Sequence, residues 1–245
     1  MVNIKRHLNM MVGDPTCKLA GICDSKDWRR EIVRRAATLP MVKAFGTILF
    51  MVLFFWAYLN LLRHPLFSVR VMPLTAVDRL VGFTPAALPL YLSLWFYVSL
   101  PPALLDNLRD LVRYGCFAGG LCLIGIICFL LWPTAIPVAS LDWGAHPGIA
   151  LLKGVDAAGN ACPSLHVATA VFSAIWLDCL LRKIGVPRVF MTVNWLWCAG
   201  IVYSALAIRQ HVFLDVVAGG LLGGLVGGLS LTLGRSARSA LEMKT

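Results

Sequence analysis

Six separate apolar stretches, each long enough to cross a bilayer, limit this chain more than any other feature. They run over about 41–62, 86–105, 114–136, 164–181, 189–208 and 212–233. A bilayer core needs about 20 mostly apolar residues in helical form. Inside lipid every backbone N–H and C=O must find its partner within the protein, which leaves helices or closed barrels. The length of these runs selects helices. The fold class expected is therefore all-α, a polytopic six-transmembrane-helix bundle. Composition agrees: of 245 residues 59% are hydrophobic and 14% charged, well outside the range of soluble domains. The organisation expected is a cytoplasmic amphipathic segment over 1–40, a membrane catalytic domain over 41–233 and a cytoplasmic tail over 234–245.

Charge sets the orientation. The segment through Lys43 carries nine Lys and Arg. Arg109 and Arg113 follow the second stretch, Arg182, Lys183 and Arg188 the fourth, and Arg235, Arg238 and Lys244 the sixth. All fall on one side of a six-helix layout, so both termini are expected in the cytoplasm. A formal charge of +10 then reads as cytoplasmic loops and contact with anionic lipid. No basic run is interleaved with aromatics, and no nucleic-acid partner is expected. "KDWRREIVRRAATLP", 26–40, reads as a helix lying on lipid headgroups, and the long basic lead-in is unlike a secretory signal. Of the eight cysteines, Cys116, Cys122 and Cys128 read as apolar filler. Cys162 has no evident partner on its side, so no disulfide is expected. "GGLLGGLVGG", 219–228, repeats glycine every four residues. It reads as a ridge for close packing inside the bundle, with a homo-oligomer through the same ridge as the alternative.

Two histidines stand on the side opposite the basic loops. His211 and Asp215 are four apart at a helix start. A carboxylate there can accept the proton of one imidazole nitrogen and leave the other lone pair free to attack. His166 lies three residues after Pro163, in a first helical turn whose free N–H groups suit an anion, with Ser164 able to cap that turn. A second histidine can protonate a leaving alkoxide. Together these residues describe phosphoryl transfer through a phosphohistidine.

The pattern resembles the type-2 phosphatidic acid phosphatase superfamily of membrane lipid phosphatases and phosphotransferases. Pro163-Ser164-Leu165-His166 is similar to its second motif. Ser204-Ala205, five residues, His211, three residues, Asp215 is similar to its third. Two cations of the family pattern are missing. No Lys and Arg-Pro follow the third apolar stretch, and Ala205 stands where the third motif has arginine. The Pro-Ser-Leu-His form is similar to the branch containing inositol phosphorylceramide synthases. The resemblance implies an integral membrane enzyme, of the kind found in a bacterial inner membrane, whose active site faces the periplasm or exterior. It implies hydrolysis of a lipid phosphate or diphosphate without metal or other cofactor. The alternatives are headgroup transfer and an inactive binding or transport relative. His211 is the implied nucleophile, Asp215 its orienter and His166 the acid. Ser164 and Ser204 belong to the matching motifs, and Arg209, Lys153 and Arg79 are the candidates to balance phosphate charge. Arg70 is a further candidate for that role, and for it and Arg63 the favoured reading is a boundary charge that snorkels. A metal held by the two histidines and the carboxylate is the rival chemistry.

Overall fold

The computed structural model describes residues 27–138, 142–155 and 159–242, with side chains through 234. Six helices are long and apolar enough to cross a membrane. Helix α1 (Asp27–Ala37) precedes the first of them, α2 (Pro40–Arg63). A two-residue strand β1 (Arg70–Val71) and the short α3 (Ala76–Leu80) lead to α4 (Pro85–Leu104), the second span. Then come α5 (Leu108–Leu131), β2 (Thr134–Ala135), α6 (Pro147–Val155), α7 (Leu165–Ile184), α8 (Arg188–Ala207) and α9 (Phe213–Glu242). The fold is thus all-α, with one parallel strand pair as its only sheet among the described residues.

Span α4 is a series of short helical turns, broken around Pro89, Pro101 and Pro102. A proline removes a backbone donor and clashes with the preceding turn. Ser93 and Ser99 hydroxyls each donate to a carbonyl three residues back, at 2.6 Å. That keeps the broken backbone satisfied inside an apolar layer. The third span begins six residues earlier than the apolar run predicts, at Leu108 instead of 114. Asn107 caps it by accepting from the Asp110 N–H at 2.8 Å, and Asp110 pairs with Arg113 at 3.1 Å. The charges read as a loop are the first turns of the helix. The span ends at Leu131, ahead of Pro133. Helix α9 runs unbroken to Glu242, past the end of the last membrane span at Gly234.

The centre of the bundle is the pair α7 and α9. Cβ atoms built on Gly219 and Gly223 would lie 2.3 Å from the Ser164 and Ala168 carbonyl oxygens, and one on Gly227 2.8 Å from Ile175. Only glycine permits that approach. The ridge expectation holds in its packing form. The homo-oligomer expectation finds no support, because the close-packing face of the ridge is occupied by α7. Polar ties add to the core. Tyr97 donates to Asn194 Oδ1 at 2.5 Å, Asn194 donates to the Ala174 carbonyl at 3.0 Å, and Trp176 donates to Ser230 at 2.8 Å. Helix α2 stands apart, leaning mainly on α5.

Candidate active site

Ser164 is the N-cap of α7. Its backbone is extended, and its hydroxyl accepts from the Val167 N–H at 3.3 Å. The Ser164 N–H donates to the Asp215 carbonyl at 3.0 Å. With Gly219 pressed on the Ser164 carbonyl, this bond locks the start of α7 to the start of α9. Two segments about fifty residues apart in sequence are therefore held side by side, and each carries one histidine.

His211 Nδ1 lies 2.9 Å from Asp215 Oδ2, and the other carboxylate oxygen accepts from the Val212 N–H at 2.9 Å. Asp215 is fully buried. A buried carboxylate accepts, so Nδ1 carries the proton and donates, leaving the Nε2 lone pair available. His166 stacks flat on Tyr91, with ring centroids 3.8 Å apart and planes 7° from parallel. Its Nε2 is buried and has no hydrogen-bond partner. Both imidazoles line the head of one groove of about 390 Å³, along with Tyr91 and Asn160.

The cations expected around the phosphate are engaged elsewhere. Arg209 has a left-handed backbone, φ 58°, where the chain turns off α8. Its guanidinium donates to the Asp78 and Val81 carbonyls at 2.8 and 2.9 Å. Lys153 donates to the Arg209 carbonyl at 2.9 Å and sits 4.7 Å above the Trp143 ring. Both brace the loop that carries His211. Ser204 is buried and donates to the Ile201 carbonyl at 2.7 Å. Arg79 is exposed on α3. Ala205, at the third-motif arginine position, is fully buried in a cluster with Tyr91 and Val167 and has no room for a guanidinium.

Sequence reasoning missed Asp78 and Tyr91 here. Asp78 is buried; it accepts from the Phe213 N–H at 2.7 Å and from the Thr75 N–H and hydroxyl, each at 2.7 Å. It ties α3 to the first turn of α9. Thr75 and Asp78 form a capping box, a spacing readable in sequence. Tyr91 stacks on His166 from a distant stretch, and nothing local in the sequence announces that contact. Arg70 was read as a boundary charge. β1 pairs it with Thr134 of β2, just past the third span, and two residues on Met72 packs with Val212 beside His211. That brings an arginine to the histidine end of the bundle.

Cys162 lies near the site. Burial, and after it the Asp215 carboxylate, pushes its thiol up to about 11. It stays protonated at neutral pH and offers no competing nucleophile. Among the described residues no group of three His, Cys, Asp or Glu side chains is placed to hold a metal ion.

No curated protein and no solved structure matches the chain. Residues 120–238, which include β2 and α7 through most of α9 with both histidine segments, match the PAP2 superfamily.

Proposed function

We propose that this protein is an integral membrane phosphatase that hydrolyses a lipid phosphate or diphosphate through a phosphohistidine. His211 Nε2 attacks phosphorus while the bond to the lipid oxygen breaks. Asp215 holds the ring in its attacking tautomer and stabilises the imidazolium that develops. His166 gives its proton to the departing alkoxide or phosphate oxygen. Water then attacks the phosphohistidine, returns a proton to His166 and releases phosphate. A headgroup hydroxyl in place of that water would give transfer after the same first step. Phosphoryl oxygens are received by the unpaired N–H groups at the start of α7.

Cation support falls to Arg70 and to whatever donors Arg209 retains, with Lys153 and Arg79 at greater remove. The charge pattern supports a site on the non-cytoplasmic side, with both termini in the cytoplasm. One observation carries the reading: the Nδ1-anchored His211 and the unpartnered, buried Nε2 of His166 share the head of one groove.

The test is phosphate release, and any new lipid product, from a panel of lipid phosphates given to purified protein. His211→Ala is expected to lower turnover by about 10³-fold or more, with the fold and membrane insertion intact. An acid-labile phosphoenzyme should form in wild type and be missing in that variant. Wild-type phosphate release from His211→Ala would end the nucleophile assignment.

A further inference from the structure

The groove headed by the histidines does not stop beneath them. Its wall on α2 is one helical stripe from Val42 to Tyr58, and its wall on α5 runs from Leu108 to Cys122. At 1.5 Å per residue the α2 stripe is about 24 Å long. The hydrocarbon core of a bilayer is about 30 Å thick, so one leaflet is about 15 Å deep. The groove therefore runs past the midplane to the far end of the bundle. Its lining is mostly apolar and rich in aromatics such as Phe50, Phe54 and Trp95. Among the described residues the one cation lining its far end, Lys43, has its ammonium held by the Arg35 and Ala103 carbonyls at 2.7 and 2.8 Å. Two glycines, Gly46 on α2 and Gly115 on α5, line the half away from the histidines. A Cβ built on either meets nothing within 4 Å. The far half is thus widened by missing side chains that neighbouring residues do not fill.

We infer that this groove seats the tail of the phosphoester and measures it: one single apolar chain, longer than a leaflet is deep, of the polyisoprenyl or very long alkyl kind. The occupant follows from continuity. A chain esterified to a phosphate at His211 has this groove directly below it, and a tail confined to one leaflet would leave the glycine-widened half without contacts. The inference rests on the reading of His211 and His166 as the phosphate end, and it adds the class of substrate.

Two readouts test it in lipid nanodiscs. The first uses phosphate monoesters carrying a photoreactive diazirine at the tail end, with tails that extend to about 24 Å or to half that reach. On the His211→Asn protein, the long probe should label peptides around Gly46 and Gly115, and the short one peptides around Tyr58 and Trp95. The second compares kcat/KM for long and short polyprenyl phosphates in wild type, Gly46→Leu and Gly115→Leu. Each leucine plugs the far half from a different wall, so one stands in if the other fails to fold. The ratio of long-chain to short-chain kcat/KM should fall at least tenfold in both.

A straight alkyl phosphate of matched length forms a second arm. Equal use assigns the groove to chain length alone, and preference for the branched chain assigns it to isoprenoids; either keeps the ruler. Labelling on the outward face, at Leu49 or Trp56, with an unchanged ratio, would mean bulk lipid fills the groove and would overturn the inference. Groove labelling without turnover of any lipid phosphate would sink the phosphatase reading and leave the tail site standing. Turnover without groove labelling would do the reverse.

Discussion

Helices α7 and α2 are both membrane spans, and they are built on opposite terms. In its most apolar window α7 is 61% buried inside the protein, whereas α2 is 0% buried, although α2 is the more apolar of the two. In water the greasier helix would be the inner one. In a bilayer lipid is as apolar as leucine, so hydropathy does not decide which helix goes inside; close packing and polar ties do. Helix α7 has both: glycine contacts to α9, and the Asn194 and Trp176–Ser230 hydrogen bonds. Helix α2 has phenylalanines and leans mainly on α5. The histidine segments stand on the tightly packed pair, and the groove beside them opens along α2.

The sharpest way to break this comparison is on the glycine ridge. Gly223→Val pushes a branched side chain into the Ala168 backbone, which cannot swing aside. Gly224→Val, one residue on, adds the same atoms to open space. Overpacking costs about 1–3 kcal/mol, and a clash with backbone belongs at or above the top of that range. The Gly224 variant should stay within about 0.5 kcal/mol of wild type. Unfolding in detergent measures both. Equal losses would mean that α7 and α9 are not the rigid unit.

A smaller difference is expected for phenylalanine removal. Phe172 on α7 is fully buried, and Phe45 on α2 is 70% exposed. Removing a ring in lipid forfeits packing more than water exclusion, so the cavity term is what remains. Roughly 100 Å³ at about 24 cal/mol per Å³ gives about 2.4 kcal/mol for Phe172→Ala. Phe45→Ala should cost less than about 0.5 kcal/mol. A comparable loss at both positions would place α2 inside the packed unit.

What could be read from sequence divides along the same line. The six spans were legible because length and apolarity are local. So was the His211–Asp215 bond, since four residues on a helical turn bring two side chains together. The glycine ridge was legible as packing because its period matches the helix. Span α5 began early because Arg109, Asp110 and Arg113 settle into the first turns of a helix, which a hydropathy window counts against it. The partners of the candidate cations were not legible, for a deeper reason. A charge count cannot say whether an arginine meets an anion or a carbonyl, and Arg209 meets two carbonyls brought to it from about 130 residues away. Asp78 on the Phe213 N–H and Tyr91 on His166 are contacts of the same long-range kind.

The mildest contrast concerns α1, which is tied to the bundle by charge. Glu31 pairs with Arg34 and Arg35, each at 2.6 Å, and both arginines reach Asp106 at the end of α4, at 3.3 and 3.2 Å. The hydrogen bond from Arg34, and then that from Arg35, hold the Glu31 carboxyl down at about 2. Burial works against ionisation of Asp106, but the Asn107 hydrogen bond and the arginine charges outweigh it, and its carboxyl too is lowered. Both shifts are depressions, so their contribution is complete above the ordinary carboxyl range near 4.5 and disappears as pH falls towards about 2. In that window the amides of α1 should lose hydrogen-exchange protection while those of α7 keep theirs. Added salt should move the loss to higher pH, since surface pairs are screened. If α1 and α7 opened together, α1 would belong to the packed core and not to its charged margin.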